Sequence, residues 1–295
     1  METRRIRIGT RQSRLALAQA ELLKQSMLQS CPHLNVSLIP YKTTGDRILD
    51  RSLDEIGGKG LFVRELDEAL AKGLTDLSVH SLKDLPVEED PDYPILGYSR
   101  REMPQDALVL PPGASKVLPR ARIGTSSPRR SLQLAALYSD CDICPVRGNV
   151  FTRLQKLDRG EYDALVLAAA GLRRLHLEHR ISRIFSVEEM IPAAGQGILA
   201  VQGRKDFDMR LLRDFVDADS AWQALAERGF VRALGGGCAS PAAAHAQLLS
   251  GGELLLTGMT QDSRGGMVIG AARAPKQDAD KLGRQLAEKL GGQGQ

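Results

Sequence analysis

One short pattern occurs twice in this chain, and it constrains the fold more than any other feature. Ile6-Arg7-Ile8-Gly9-Thr10 leads through Ser13 into the Leu/Ala-rich residues 15–20, and Ala121-Arg122-Ile123-Gly124-Thr125 leads through Ser127 into the Leu/Ala-rich residues 132–137. In each copy an alternating strand pattern meets a Gly-Thr turn, followed by a serine suited to cap a helix. The correspondence continues downstream. Gly73-Leu74-Thr75-Asp76 precedes Leu77-Ser78-Val79-His80, and Gly160-Glu161-Tyr162-Asp163 precedes Ala164-Leu165-Val166-Leu167, each after a charged amphipathic helix pattern. Alternating strands and helices over short connections predict two related α/β domains with largely parallel sheets, whose strand ends and helix starts line a cleft.

Composition narrows the class. A chain of 295 residues with 42% hydrophobic content buries a sizeable core and suggests two or three domains. Forty Lys and Arg against 36 Asp and Glu leave a formal charge of only +4, and no basic run supplies a polybasic arm, so no nucleic-acid partner is expected. No apolar run approaches the roughly 18 residues of a membrane span, and the first residues lack an apolar export segment. A cytoplasmic monomer without a membrane partner is expected. The four cysteines, Cys31, Cys141, Cys144 and Cys238, are too few for a disulfide scaffold. Cys141 and Cys144 form a C-x-x-C pattern with no second pair, and strand-like flanks send their thiols to opposite faces. His80 has no metal-spaced partner nearby and reads as a satisfied, partly buried histidine; no metal is expected.

Several stretches carry chemistry. Arg11 and Ser13 stand at a helix start, where free N–H groups and the positive dipole end suit a carboxylate or phosphate. Gly57-Gly58-Lys59-Gly60-Leu61-Phe62 is a flexible loop but not a phosphate-binding Walker loop, because Leu53 and Gly60 occupy positions that need Gly and Ser/Thr. Phe62 reads as core or as a stacking platform. In Ser81-Leu82-Lys83-Asp84-Leu85-Pro86 a carboxylate, a lysine and a hydroxyl cluster at a strand end; Asp84 is either an acid–base group or an aspartate paired with Lys83 or capping a turn. Arg11, Arg129, Arg130, Arg147, Arg153 and either Arg173 or Arg174 fall at strand ends, helix starts or the loops between. Converging on one cleft, they would bind several carboxylates, for which guanidinium forks are well matched.

A helical stretch from Trp222 to Ala233 leads into Leu234-Gly235-Gly236-Gly237-Cys238-Ala239-Ser240-Pro241, which holds a thiol on a bend. That thiol reads either as half-buried and structural or as a group reached by another molecule. Three antiparallel strands over 243–249, 253–259 and 267–272 and a helix over 277–290 complete a small α+β domain. Ile191 to Val201 reads as a hinge and a strand crossing back to the first unit. The expected division is 1–99 with 195–214 for the first domain, 100–194 for the second and 215–295 for the third.

Taken together, Thr10-Arg11-Gln12-Ser13, the 57–62 loop, Val79-His80-Ser81-Leu82-Lys83-Asp84-Leu85-Pro86, Gly124-Thr125-Ser126-Ser127, Val146-Arg147-Gly148-Asn149-Val150, Pro192-Ala193-Ala194-Gly195-Gln196-Gly197 and Gly236-Gly237-Cys238 resemble the porphobilinogen deaminase family over essentially the whole chain. The resemblance implies two domains similar to periplasmic binding proteins plus a small third one. It also implies a dipyrromethane cofactor attached covalently through Cys238, onto which four porphobilinogen molecules are joined with loss of ammonia before water frees hydroxymethylbilane. By the same resemblance, Asp84 is the catalytic carboxylate, and Ser13, Lys83, Thr125, Ser127, Arg129, Arg130, Arg147 and Phe62 contact the cofactor. Arg11, Ser81, Arg147, Arg153 and Arg174 would contact substrate. The sequence departs from the family pattern at Glu55, where some members have lysine, at Ala239-Ser240 in place of Gln-Val, and at Pro128 in place of leucine. A solute-binding module is the rival, opposed by Cys238 and by the lack of an export segment; an effector-binding regulator lacks any helix-turn-helix pattern ahead of residue 6.

Overall fold

The computed structural model describes residues 4–47, 63–236 and 240–292, within two compact units: Met1–Arg101 with Ile198–Ala221, and Glu102–Gly197 with Trp222–Gln295. In the first unit β1 (Arg5–Arg11), β2 (Asn35–Tyr41), β3 (Leu77–Ser81), β4 (Ile95–Tyr98) and β10 (Leu199–Gly203) form one sheet in the order β2-β1-β3-β10-β4. Ile6 and Ile8 alternate with arginines along β1, so one sheet face buries them with Leu77, Val79, Leu199 and Val201 against Ala20, Leu23 and Met27 of α1 (Arg14–Ser30). The short α2 (Thr44–Arg47) follows β2, and α3 (Arg64–Ala71) buries Leu66, Ala69 and Leu70.

The second unit repeats this plan. Its sheet, β7-β6-β8-β5-β9, comprises β5 (Asp106–Val109), β6 (Arg122–Gly124), β7 (Asp142–Cys144), β8 (Ala164–Ala168) and β9 (Arg183–Ile184). Leu165 and Leu167 of β8 pack with Leu154 and Leu157 of α5 (Val150–Asp158) on one face, while Ala164 and Val166 pack with Leu134 of α4 (Pro128–Leu137) on the other. A buried strand covered on both faces needs this unbroken apolar run.

The repeat extends to individual bonds. Arg7 N–H donates to Asp76 Oδ2 at 2.7 Å and its Nε to the same oxygen at 3.1 Å; the corresponding Arg122 donors reach Asp163 Oδ2 at 2.8 and 3.2 Å. α3 and α5 both end in a left-handed glycine, Gly73 at φ +62° and Gly160 at φ +75°, whose N–H groups bond back to Leu70 and Leu157. The residues after these glycines bond Ala69 and Lys156, giving a Schellman closure twice over.

The sheets are parallel across their first three strands only. β10 runs antiparallel to β3 and β4, and β5 antiparallel to β8 and β9. The physical reason lies in connectivity: β10 and β5 enter their sheets from the segments that join the two units, not through a strand-helix-strand crossover, so no right-handed parallel return is required. Gly197, at φ +92°, has Glu102 O only 2.2 Å from where a Cβ would stand, a closeness that a side chain would forbid.

The rest of the second unit is antiparallel. β11 (Ala243–Leu248), β12 (Glu253–Gln261) and β13 (Met267–Pro275) pair in order, with α8 (Ala279–Gly291) and the helix α7 (Ala218–Ala233) nearby. A Cβ at Gly283 would stand 2.3 Å from Ala226 O, so glycine lets α8 lie directly against α7. Glu227, fully buried, accepts the N–H groups of Gly195 and Ala246 at 2.7 Å each. Among the described residues no helix is long and apolar enough to cross a membrane.

His80 is 6% exposed. Burial, with the positive charge of Arg11 as a second cause, pushes its ring down to about 4. Because the folded value is depressed below the unfolded one near 6.5, stability is complete above about pH 6.5 and is lost as the unfolded chain takes up a proton towards pH 4. Urea titrations between pH 7 and 4.5 should show His80→Gln losing less stability than the native chain, by up to about 3 kcal/mol over the full window; parallel profiles would show that His80 is not the group responsible.

Candidate active site

In the first unit the candidate residues gather at the carboxyl edge of β1 and β3, whose parallel register pairs Gly9 with Ser78. Thr10, wholly buried, donates its hydroxyl to Ala16 O at 3.0 Å, and Ser13 Oγ accepts the Ala16 N–H at 3.3 Å. These two hydroxyls fix the start of α1 against the strand it follows. Ser81 at the end of β3 is bonded to the amide of buried Gln19 at 3.0 Å, tying the same helix to the neighbouring strand end. The chain then makes a single 3₁₀ turn, Leu82–Asp84. Leu82 and Leu85 go into the interior and leave Lys83 and Asp84 half-buried at the rim.

Arg11 has a partner that sequence reading missed. Its Nε donates to Asp46 Oδ2 at 3.3 Å and its Nη2 bonds Oδ1, while Asp46 also accepts the Thr43 hydroxyl at 2.7 Å. Burial pushes the Asp46 carboxyl up, but Arg11 and Thr43 outweigh it and hold the group below the usual carboxylate range. One side of the Arg11 fork is thus already taken by a carboxylate.

The second unit presents a matching edge. Thr125 follows β6, and its N–H bonds Cys144 O at the end of β7 at 2.9 Å. Its hydroxyl accepts the Ser127 N–H at 3.2 Å; Ser127 Oγ in turn accepts the Arg130 N–H at 3.4 Å and caps α4, with Pro128 at the first helical position. Ser126 is bonded to both the N–H and the carbonyl of Val146, which anchors the turn bearing Arg147. Gly148, at φ +109°, leaves its carbonyl to the Arg153 Nε at 2.8 Å. Arg174, at the end of α6 (Ala169–Arg174), donates to Gly197 O at 2.6 Å; burial pushes its guanidinium down to about 10 against the opposing pull of Glu102. Arg173, its neighbour, is exposed and paired with Glu102 at 3.5 Å.

Arg129 and Arg130 share an interior anion. They are 3% and 6% exposed, bonded on either side of Asp106, which is fully buried. Arg129 Nη1 reaches Asp106 Oδ2 at 2.7 Å and Ile191 O at 2.8 Å; Arg130 reaches Oδ1 through Nε at 3.0 Å and Nη2 at 2.7 Å, and Val166 O at 3.0 Å. Gln196 Nε2 adds a bond to Asp106 at 3.0 Å and one to Pro104 O at 2.6 Å. Burial raises the Asp106 carboxyl, but the two guanidiniums prevail and hold it far below the carboxylate range. Two cations around one anion leave a net positive charge. Arg129 Nε is buried with no acceptor among the described residues. Asp106 escaped sequence reading because it opens a strand more than twenty positions before either arginine; the adjacent arginine pair, which needs an anion once buried, was the available signal.

Cys238 and Phe62, like Lys59 and Glu55, lie outside the described residues. The helix before the cysteine ends on Gly235 at φ +64°, whose N–H bonds Arg232 O while Gly236 N–H bonds Val231 O, a third Schellman closure. Ser240 beyond it accepts the Ala242 N–H at 3.2 Å. Cys141 and Cys144 are free thiols, and among the described residues no cluster of His, Cys, Asp and Glu is placed to hold a metal. Each edge by itself offers guanidinium and hydroxyl donors, and that of the first unit adds the Lys83 ammonium and the half-buried carboxylates of Asp84 and Asp46, chemistry suited to a carboxylated ligand.

Comparison with known proteins bears on this directly. Residues 6–211 match the family model described as porphobilinogen deaminase, dipyromethane cofactor binding domain, and residues 221–292 match the porphobilinogen deaminase C-terminal domain. Porphobilinogen deaminase of Acetivibrio thermocellus is 48% identical over 286 residues, 97% of this chain and 98% of the relative. That of Ruminiclostridium josui is 47% identical over 288 residues, again 97% and 98%, and that of Alkaliphilus oremlandii 46% over 290 residues, 98% and 97%. Among solved structures, a TRAP periplasmic solute binding protein from Desulfovibrio salexigens gives a TM-score of 0.44 at 12% identity over 74% of each chain, too distant a likeness to bear on the fold. With both domain models matched in order and relatives aligned over nearly their full lengths, the chain belongs to the porphobilinogen deaminase family and contains that family's dipyrromethane cofactor-binding domain.

Proposed function

We propose that this chain is a hydroxymethylbilane synthase, a transferase that joins four porphobilinogen molecules head to tail on a dipyrromethane held through a thioether to Cys238. The observation that carries this reading is the match to both family domains, supported by donor sets at two strand edges suited to the acetate and propionate groups of pyrroles. The residues present fit the cofactor: the buried, acceptor-less Arg129 Nε and the net positive charge around Asp106 suit a carboxylate, and Thr125, Ser127, Ser13 and Lys83 add hydrogen-bond donors. When bound, the group supplies the free pyrrole α-carbon at which the chain grows. Arg147, with Arg129 and Arg130, would hold its acid side chains, and Phe62 would cover it.

Arg11, Ser81, Arg147, Arg153 and Arg174 bind the carboxylates of incoming porphobilinogen. In each addition the aminomethyl C–N bond of the substrate would break with loss of ammonia, the bound group would supply the pyrrole α-carbon that takes up the methylene carbon, and the proton released from that α-carbon would leave with the ammonia as ammonium. Asp84 stabilises the positive charge developing on the substrate ring and moves these protons. Water terminates the process, placing the hydroxyl on the released hydroxymethylbilane. Three domains, 1–99 with 195–214, 100–194 and 215–295, divide these tasks in a monomer acting in the cytoplasm, with neither nucleic acid nor membrane as partner.

Intact-mass measurement of the purified protein should show an adduct of two pyrrole units that is absent from Cys238→Ser; an active native chain of unmodified mass would refute the tether. Asp84→Asn should retain that adduct yet lose at least about 10²-fold in turnover, the scale of general acid–base catalysis. Near-native ammonia release by this variant would remove Asp84 from the chemistry.

A further inference from the structure

A polar cluster lies on the face of the first sheet opposite the core of Ile6, Ile8 and Leu23. Strand alternation sends Ser78 and His80 to that face while Leu77 and Val79 enter the core, and the antiparallel register sets Gln202 of β10 directly across from Ser78. Thr75 reaches the same place. A Cβ added to Gly9, the β1 partner of Ser78, would stand 3.1 Å from Ser78 Oγ, 3.2 Å from Thr75 Cγ2 and 3.2 Å from Leu66 Cδ2. Asp67 follows Leu66 on α3, and Gln202 acts on its carboxyl as well as on the His80 ring. Thr75 and Ser78 are 0% exposed, and His80 and Gln202 6%.

Thr75 Oγ1, Ser78 Oγ, His80 Nε2, Gln202 Oε1 and Asp67 Oδ1 are all buried without a hydrogen-bond partner among the described residues. Turning a hydroxyl does not cure this, because neither Thr75 Oγ1 nor Ser78 Oγ has a partner within hydrogen-bonding reach among the described residues. Gln202 Nε2 donates one of its two N–H groups to Tyr93 O at 2.8 Å and turns the other side of its amide towards Asp67, but Gln202 Oε1 and Asp67 Oδ1 are both acceptors left without a donor among the described residues. Two acceptors do not satisfy one another. Buried polar groups in folded proteins are paired, with ordered water where the chain does not suffice, whereas cavities that stay dry are apolar.

We infer that this face of β3 is a water-binding pocket, with at least one ordered water molecule held among Gln202 Oε1, Asp67 Oδ1 and the hydroxyls of Ser78 and Thr75, and His80 at its margin. Water is the matching ligand because it donates two hydrogen bonds to the two acceptors and accepts from a hydroxyl, within the two to four partners that a buried water requires. The pocket lies behind the strand whose end bears Lys83 and Asp84, and it stands whether or not those residues react. Burial and the charge of Asp90 push Asp67 up to about 6, so the carboxylate that the water would solvate predominates at neutral pH.

A high-resolution crystal structure of the intact protein, with thermal unfolding of Thr75→Val and Ser78→Ala, tests this. The expected result is water density within hydrogen-bonding distance of Gln202 Oε1 and at least one of Asp67, Ser78 and Thr75, with each variant melting lower by roughly 2–4 °C. Removing a hydroxyl that truly lacked a partner would instead leave the melting temperature unchanged or raise it. That outcome, a dry pocket, side chains bonded directly to one another, or density for a metal cation overturns the inference.

Discussion

The second unit depends on one buried carboxylate. Asp106 joins the first strand of its sheet to the first turn of α4 through Arg129 and Arg130, and to the returning segment through Gln196. Ile191 O and Val166 O take further guanidinium donors, so strand, helix start and return segment share one network. Removing one member of such a buried array leaves an uncompensated charge, which costs about 3–5 kcal/mol, far more than loss of an exposed pair. The same network fixes where Ser127 and Thr125 stand, because Ser127 caps the helix on which both arginines ride.

The two units solve a common problem alike. Each sheet has three parallel strands whose carboxyl ends present hydroxyls and cations, and each closes the helix before its central strand with a left-handed glycine and an Arg–Asp pair. Their chemistry differs in how cations are tempered. In the first unit Arg11 is offset by Asp46 near solvent; in the second, two arginines share one interior anion, so the cluster keeps a net positive charge.

The polar interior behind β3 shows the other side of this economy. Strand alternation sends Ser78, His80 and Gln202 to this buried face, and the burial that keeps His80 uncharged also leaves Ser78 Oγ, His80 Nε2 and Gln202 Oε1 without a hydrogen-bond partner among the described residues. Glu227 meets the same demand differently, accepting two backbone N–H groups from separate segments and so remaining a satisfied buried acid.

Much was legible in the sequence because it rests on local physics. Ser13 and Ser127 precede Leu/Ala runs and cap helices; Gly73, Gly160 and Gly235 follow amphipathic runs and close them; Leu77 and Val79 alternate with polar neighbours and mark a central strand. Local spacing also put Arg147, Arg153 and either Arg173 or Arg174 at strand ends, helix starts or the loops between, and left the choice between the last two open. It was silent on Asp46 beside Arg11, on Asp106 between Arg129 and Arg130, and on the antiparallel entry of β5 and β10. Those features join residues distant along the chain, and the pairing of charges or strands across such distances is decided only when tertiary packing removes water and brings the partners within bonding range.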